Sequence, residues 1–129
     1  MRLFFALWPP TDAAEQLAEV ARATATRFGG KPTRAETIHL TLAFLGDVPE
    51  AQLPLLRQTA QSIRAEPFVL AIDCLGFWNR NHLLWAGNAS PSVALAELIE
   101  LLQQALTEAG FAVDGRNRIF TPHITLIRK

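Results

Sequence analysis

One pattern of six residues occurs twice in the chain and constrains both copies to the same local structure. Residues 37–42 read TIHLTL and residues 121–126 read TPHITL, so both follow Thr-x-His-aliphatic-Thr-Leu. The protein has three histidines, and two of them lie in this pattern. At average composition, such a match for two histidines in three has a chance probability of about one in ten thousand. The repeat therefore favours a shared role over the alternative, two unrelated strands of similar sequence.

The alternation of polar and apolar residues in the repeat predicts a β-strand with two different faces. In a strand, residues i and i+2 point to the same face. His39 and Thr41 therefore share one face in the first copy, and His123 and Thr125 share one face in the second. Aliphatic residues occupy the opposite face of each strand. We expect each strand to bury that face and to present an imidazole and a hydroxyl on the other.

Turn and helix signals place these strands in one α+β domain, predicted to span residues 1–129. Pro9-Pro10 closes a first strand, Pro54 fits the first turn of a helix, and Gly110 ends the clearest helical pattern. Helix N-caps are predicted at Thr11-Asp12 and at Ser90. The predicted strands are 2–8, 37–46, 68–75, 82–88 and 119–129, and the predicted helices are 11–28, 54–64 and 91–109. A long helix precedes each strand that carries the repeat.

The composition excludes several classes of protein. The formal net charge is zero, which argues against a broad basic surface that follows duplex nucleic acid through many phosphates. No run of 18 apolar residues occurs, and Pro-Pro closes the apolar start of the chain, so neither a membrane span nor a signal peptide is predicted. The single cysteine, Cys74, cannot form an internal disulfide. We expect it to be a buried, unreactive thiol in a reducing compartment, the cytoplasm.

Two imidazoles and two hydroxyls around one small cavity suit displacement at phosphorus. Imidazole titrates near neutral pH, so one ring can accept a proton while the other donates one. Threonine hydroxyls can donate hydrogen bonds to phosphoryl oxygens. A metal site is the competing use of paired histidines, but His82 is the one further histidine and lacks the threonine partner. A serine nucleophile is also disfavoured, because neither Ser90 nor Ser92 lies in a G-x-S-x-G context. The spacing does not decide which histidine is the acid.

The residues around the repeat resemble those of a known family. The first copy continues into FLG, and the second is preceded by F-x-P and followed by x-R. The start RLFFAL, the central LAIDCLGF and the segment LLWAG add to the similarity. The pattern resembles the two-histidine phosphoesterases and, more narrowly, the RNA 2′,3′-cyclic phosphodiesterases, also called LigT-like or 2′-5′ RNA ligase-like proteins. This resemblance implies a bilobal α+β fold, with two antiparallel sheets flanking a central cleft and helices on the outside.

The resemblance also implies an activity and roles for residues. It implies hydrolysis of a 2′,3′-cyclic phosphate end of RNA or of a small cyclic nucleotide to a 2′-phosphate, without a metal or another cofactor. It implies that His39 is the proton donor and His123 the proton acceptor, with Thr41 and Thr125 as phosphate ligands. A non-catalytic module that binds RNA ends or nucleotides and 2′-5′ ligation in the same site are the alternatives.

Further charged and aromatic residues are candidates for binding substrate. Arg128 follows the second copy of the repeat and is a candidate cation for the phosphate. Arg34 and Arg118, with Lys31 and Arg116, flank the two copies and could form a local positive surface that attracts an RNA end. Trp78 is expected in a loop, within GFWNRN, where its ring could stack on a base. Ordinary solvated charge and ordinary core packing are the alternative interpretations.

The chain ends at Lys129, three residues after the second copy of the repeat. Members of the family typically continue for some tens of residues and add strands. We therefore expect short or absent C-terminal strands and an uncovered sheet edge, which could pair with a second copy of the chain as a homodimer.

Overall fold

A computed structural model describes all residues, 1–129, and contains three α-helices and six β-strands. The strands are β1 (Arg2–Leu7), β2 (Lys31–Pro32), β3 (Leu40–Asp47), β4 (Cys74–Trp78), β5 (Leu83–Gly87) and β6 (Ile124–Arg128). The helices are α1 (Thr11–Phe28), α2 (Leu53–Gln61) and α3 (Val93–Glu108), and two 3₁₀ turns span Ala35–Thr37 and Glu50–Gln52. None of the helices combines the length and the apolar character that crossing a membrane requires.

The chain divides into two compact units. Unit 1 consists of Met1–Ala6, Thr41–Leu70 and Ser90–Thr121, and unit 2 consists of Leu7–Leu40, Ala71–Ala89 and Pro122–Lys129. Unit 1 contains nearly all of β1 and β3 together with α2 and α3, and unit 2 contains α1, β2, β4, β5 and β6. The earlier expectation of a single domain over 1–129 stays a prediction.

In unit 1, two helices and two strands form an apolar core. Strand β3 lies next to β1, and α2 packs against α3. Helix α3 begins after Ser92, whose hydroxyl accepts a hydrogen bond from the Leu95 amide at 3.2 Å. The N-cap is therefore two residues later than the predicted Ser90, because the Ser92 hydroxyl reaches the amide three residues ahead. The one buried polar side chain of α3, Gln103, donates to the Leu42 carbonyl at 2.9 Å and so ties the helix to β3.

In unit 2, β6 pairs with strands on both of its edges. Antiparallel β5 pairs with one edge, with Leu83 opposite Arg128 and Ala86 opposite Ile124. The other edge pairs with β2 and then with the first residue of β3, where Leu40 lies opposite Ile124. Helix α1 packs on β6, and its buried residues are Ala14, Ala18 and Ala21, whose small side chains allow a close approach.

The α+β class and the antiparallel pairing predicted from the sequence are confirmed. Strand β3 belongs to both of the sheets that the resemblance implies. Its first residue, Leu40, pairs with β6 in unit 2, and the remainder of the strand lies in unit 1. The predicted helix with Pro54 in its first turn is also confirmed, although it ends at Gln61.

One strand lies later in the chain than predicted. The sequence run 68–75 was expected to be a strand, but β4 is Cys74–Trp78. The reason is its pairing: a short turn after Trp78 brings β5 back, with Trp78 opposite Leu83 and Gly76 opposite Trp85. Before Cys74 the partner strand has ended, and the Asn88 side chain donates instead to the Ala71 carbonyl. Trp78 is therefore a strand residue and does not lie in the predicted loop.

Candidate active site

The middle residues of the two repeats are direct partners in the sheet. Leu40 of His39-Leu40-Thr41 lies opposite Ile124 of His123-Ile124-Thr125, and both are buried, with 2% and 3% of their surface exposed. In an antiparallel pair, one step from this point brings His39 opposite Thr125. His39 and His123 are then diagonal neighbours, with side chains about 7–8 Å apart at their bases. The register thus places both imidazoles and one hydroxyl within reach of a single small group.

Both histidines lie one residue before their strands and are half-buried. The Nδ1 atom of His39 lies 2.7 Å from the backbone carbonyl oxygen of Thr37, in the 3₁₀ turn that precedes it. Because a carbonyl oxygen can only accept, Nδ1 carries a hydrogen and donates it. The proton that His39 gains or loses in a reaction is therefore the one on Nε2.

Each histidine also contacts a tryptophan. The Trp8 ring lies 5.1 Å from the His39 ring, centroid to centroid, with a tilt of 37°. The Trp78 ring meets His123 edge-on, with a centroid distance of 4.6 Å, and lies 5.2 Å from Trp85. Trp78 is half-buried, and Trp85 fits beside it because Gly76 has no side chain: a Cβ there would lie 2.1 Å from the Trp85 ring.

A cavity of about 730 Å³ opens in unit 2 beside His39. Imidazole, hydroxyl and cationic groups line it together: His39, Thr33, Thr37, Thr125, Lys31, Arg34 and Arg128, with Pro32. Lys31, Arg34 and Arg128 form no ion pair with a carboxylate, since the ion pairs of the protein involve the N-terminus, Arg22 and Arg116. The lining therefore has a net positive charge and suits an anionic ligand.

The structure brings together some of the residues predicted from sequence. His39, Thr125, Arg34 and Arg128 line one cavity, and His123 and Trp78 are in contact. Thr41 and Arg118 belong to unit 1, and Arg118 is exposed in a turn where its amide donates to the Gly115 carbonyl. The suggested roles of all these residues in catalysis and binding stay predictions.

Sequence reasoning missed Thr33, Thr37 and Trp8 as neighbours of the site. Thr33 is placed by its amide, which donates to the Leu126 carbonyl of β6 at 2.8 Å. Nothing in the local sequence signals this, because the pairing of residues 31–33 with β6 joins distant parts of the chain. Thr37 could have been noted, since it lies two residues before His39 and ends the 3₁₀ turn.

No three His, Cys, Asp or Glu side chains of the protein are grouped so that they could hold a metal ion.

An antiparallel α+β fold in which two His-x-Thr segments are register partners is that of a two-histidine phosphoesterase. The family model described as LigT like Phosphoesterase matches residues 7–85. The RNA 2′,3′-cyclic phosphodiesterase of Escherichia coli (strain K12) is 38% identical, over 98% of this chain and 71% of the relative. The protein of that name from Thermus thermophilus is 32% identical, over 100% and 69%. The chain belongs to the LigT-like phosphoesterase family.

Solved structures agree with this assignment. The crystal structure of E. coli LigT in apo form superposes with a TM-score of 0.86 at 35% identity, over 98% of this chain and 71% of that one. The complex of E. coli LigT with 3′-AMP gives a TM-score of 0.87 at 36% identity, over 98% and 72%. The α+β, LigT-like fold that the resemblance implies is thereby confirmed.

Proposed function

We propose that this protein hydrolyses 2′,3′-cyclic phosphate ends of RNA to 2′-phosphates. The observation that carries the proposal is the Leu40–Ile124 register, which makes the two His-x-Thr segments partners at one point of the sheet. The cationic cavity beside His39 and the names of the relatives, RNA 2′,3′-cyclic phosphodiesterase, support the choice of substrate. A small cyclic nucleotide contains the same reacting group and is a second substrate.

The proposed reaction is an in-line displacement with one acid and one base. His123 accepts a proton from water as the water oxygen bonds to phosphorus. The bond from phosphorus to the 3′-oxygen breaks, and His39 donates its Nε2 proton to that oxygen. The product has a free 3′-hydroxyl and a 2′-phosphate, and the two rings have exchanged protonation states. A diagonal spacing of about 7–8 Å between the backbone positions of the two histidines is compatible with a phosphoryl group between their side chains.

Hydroxyls are proposed to hold the reacting phosphate, and cations are proposed to attract the RNA end. Thr125 is half-buried in the cavity lining and donates from its hydroxyl to a phosphoryl oxygen. Thr41 has the same position relative to His39 that Thr125 has relative to His123, which supports the same role. Arg34 and Arg128 supply positive charge to the RNA end, and Arg118 stays a predicted contact.

Trp78 stays a predicted base contact, but its expected loop position was wrong. Its half-buried ring already packs against two rings, so any stacking would use the surface left exposed. A cytoplasmic location is proposed on the basis of the single cysteine, Cys74, which is unpaired. The homodimer also stays a prediction; on the side of the first repeat, β1 has β3 as its one neighbour and so has a free edge.

The test is hydrolysis of a nucleoside 2′,3′-cyclic phosphate and of a short RNA with that end, in EDTA. We expect turnover by the wild type and a loss of about 10²-fold to 10⁴-fold in kcat for His39→Ala and for His123→Ala. His82→Asn is the matched control, because His82 is exposed in the β4–β5 turn with a positive φ of 51° that asparagine tolerates.

Two outcomes would contradict the proposal. Full activity of either repeat variant would remove that histidine from the reaction. An inactive but folded wild type that binds the RNA end would instead indicate the non-catalytic binding module.

A further inference from the structure

Two of the cavity cations that form no ion pair lie opposite each other on adjacent strands. Lys31 of β2 lies directly opposite Arg128 of β6 in the antiparallel register, and both line the cavity. Like charges in opposed positions of a strand pair destabilise that pair. No carboxylate makes an ion pair with either residue. An anion bound between the two cations would remove this repulsion.

This pair of cations, which we call the Lys31–Arg128 pair, lies away from the histidines along β6. Thr125 and Arg128 are three residues apart, at most about 10 Å along a strand, and the register of β6 against β5 shifts between Thr125 and Ile127, so that both residues line the same cavity. One step beyond the Leu40–Ile124 pair places His39 beside Thr125, and Lys31 lies opposite Arg128. The cavity therefore has an imidazole-hydroxyl end and a cationic end.

The size of the cavity agrees with a ligand longer than one phosphate. At about 730 Å³ it is within the range of sites that enclose a whole organic ligand, and far exceeds the needs of one phosphoryl group. In an RNA end, the nearest second anion is the 5′-phosphate of the terminal nucleotide, which links it to the preceding one. A nucleoside 2′,3′-cyclic phosphate has no such group.

We propose that the Lys31–Arg128 pair is a second phosphate subsite, which binds the 5′-phosphate of the terminal nucleotide. The proposal rests on the proposed function, since it requires the cyclic phosphate to occupy the histidine end. Its consequence is selectivity: the site prefers RNA ends, or nucleotides with a 5′-phosphate, over cyclic nucleosides without one. A phosphodiester and a terminal 5′-phosphate share this chemistry, and both are compared in the test.

Three substrates with the same terminal base separate the subsites. They are adenosine 2′,3′-cyclic phosphate, the same compound with a 5′-phosphate, and a dinucleotide ending in the cyclic phosphate. For the wild type we expect kcat/KM to be about tenfold higher for the second and third than for the first, as for one charge-assisted contact. In the double variant Lys31→Gln/Arg128→Gln this ratio should decrease to about one. If kcat/KM is higher for the dinucleotide but not for the 5′-phosphorylated mononucleotide, the Lys31–Arg128 pair binds a phosphodiester and not a terminal 5′-phosphate.

Arg80→Gln is the matched control. Arg80 is an exposed cation in the β4–β5 turn that does not line the cavity, and its removal lowers the net charge without touching the subsite. We expect this variant to keep the wild-type ratio. The ratio should also decrease with added salt, because the contact is ionic.

Binding of products tests the subsite without turnover. Wild-type protein should bind adenosine 2′,5′-bisphosphate about tenfold more tightly than adenosine 2′-phosphate, and the double variant should bind both alike. A wild type that is inactive towards all three substrates would overturn the proposed function, and the binding ratio would still decide on the subsite. Equal wild-type affinities, or an equal loss for all ligands in the double variant, would overturn the subsite.

Discussion

The two copies of the repeat have nearly the same sequence but different surroundings. His39 follows a compact 3₁₀ turn, and a hydrogen bond of 2.7 Å to the Thr37 carbonyl orients its ring. His123 follows an exposed segment in which Ile119 is 97% exposed, and the Trp78 edge packs against its ring. Each ring also contacts a tryptophan, but Trp8 beside His39 is 58% exposed, whereas Trp78 beside His123 is half-buried and packs on Trp85.

This difference shows how His39 and His123, which have equivalent positions in the repeat, can have unequal roles as acid and base. The Thr37 carbonyl requires a hydrogen on Nδ1 of His39 in every protonation state, so Nε2 is presented as the donor when the ring is charged. The aromatic neighbours of the two rings also differ, because Trp78 packs edge-on against His123 whereas the Trp8 ring lies tilted beside His39. The acid and base roles proposed above therefore correspond to two different environments.

The largest expected effect is on the pH dependence of the two histidine variants. The wild type should give a bell-shaped profile of kcat/KM, because one ring must be protonated and the other neutral. His39→Ala removes the acid, so its residual activity should lose the decrease at high pH. His123→Ala removes the base, so its residual activity should lose the decrease at low pH. The measurement is kcat/KM from pH 5 to 9.

The reverse result would exchange the two roles: if His39→Ala lost the decrease at low pH and His123→Ala the decrease at high pH, His39 would be the base and His123 the acid. Identical residual profiles for the two variants would show that the surroundings do not separate the roles. His82→Asn serves again as the control and should keep both limbs.

A smaller effect is expected when the tryptophan partners are truncated. Trp78→Leu removes contacts with both His123 and Trp85, and should destabilise the fold by about 2–4 kcal/mol. Trp8→Leu changes a ring that is 58% exposed, and should cost about 0.5 kcal/mol or less. Urea unfolding monitored by circular dichroism gives both values.

The kcat of the same tryptophan variants shows whether the packing of Trp78 also affects His123. If packing orients His123, Trp78→Leu should also lower kcat, whereas Trp78→Phe should restore most of it. Equal destabilisation by the two truncations would contradict the expectation that the half-buried Trp78 contributes more to stability than the exposed Trp8.

The smallest effect concerns the segment that leads to the second repeat. Arg116 donates to both carboxylate oxygens of Glu100, at 2.7 and 3.1 Å. These hydrogen bonds lower the pKa of Glu100 and raise the pKa of Arg116. Because the pKa of Glu100 is lower in the folded protein, its contribution to stability is complete above the ordinary pKa of about 4.3. It is lost as the pH falls through the lower pKa of the folded state.

Glu100→Gln tests this contribution. We expect a decrease in Tm of about one to two degrees at pH 7, since the pair is exposed, and no difference from wild type at pH values below the folded-state pKa. A difference that persists in acid would mean that Glu100 stabilises the protein by packing and not by its charge.

Most elements could be predicted from the sequence because their signals are local. The alternation in the repeat, Pro54 at a helix start and Gly110 at a helix end all act over a few residues. The position of β4 could not be predicted in this way. The apolar run 68–75 is typical of a strand, but the ladder forms only where a partner lies alongside, and that partner is β5 opposite Cys74–Trp78.

The candidate site shows the same division. His39, Thr41, His123 and Thr125 could be identified from sequence because they are repeated. Lys31 and Arg128 could be noted as nearby charges, but their opposition across two strands could not, because it depends on a register between residues nearly one hundred positions apart.

Local sequence signals were enough to predict the class of the fold, the two His-x-Thr segments and the face of each strand that these segments occupy. They were enough because strand alternation and turn chemistry are properties of neighbouring residues. Three contacts are visible in the tertiary structure alone. Leu40 and Ile124 are partners, Trp78 packs against His123, and Lys31 lies opposite Arg128. These are long-range contacts, and they form where burial of the whole core fixes the register between strands.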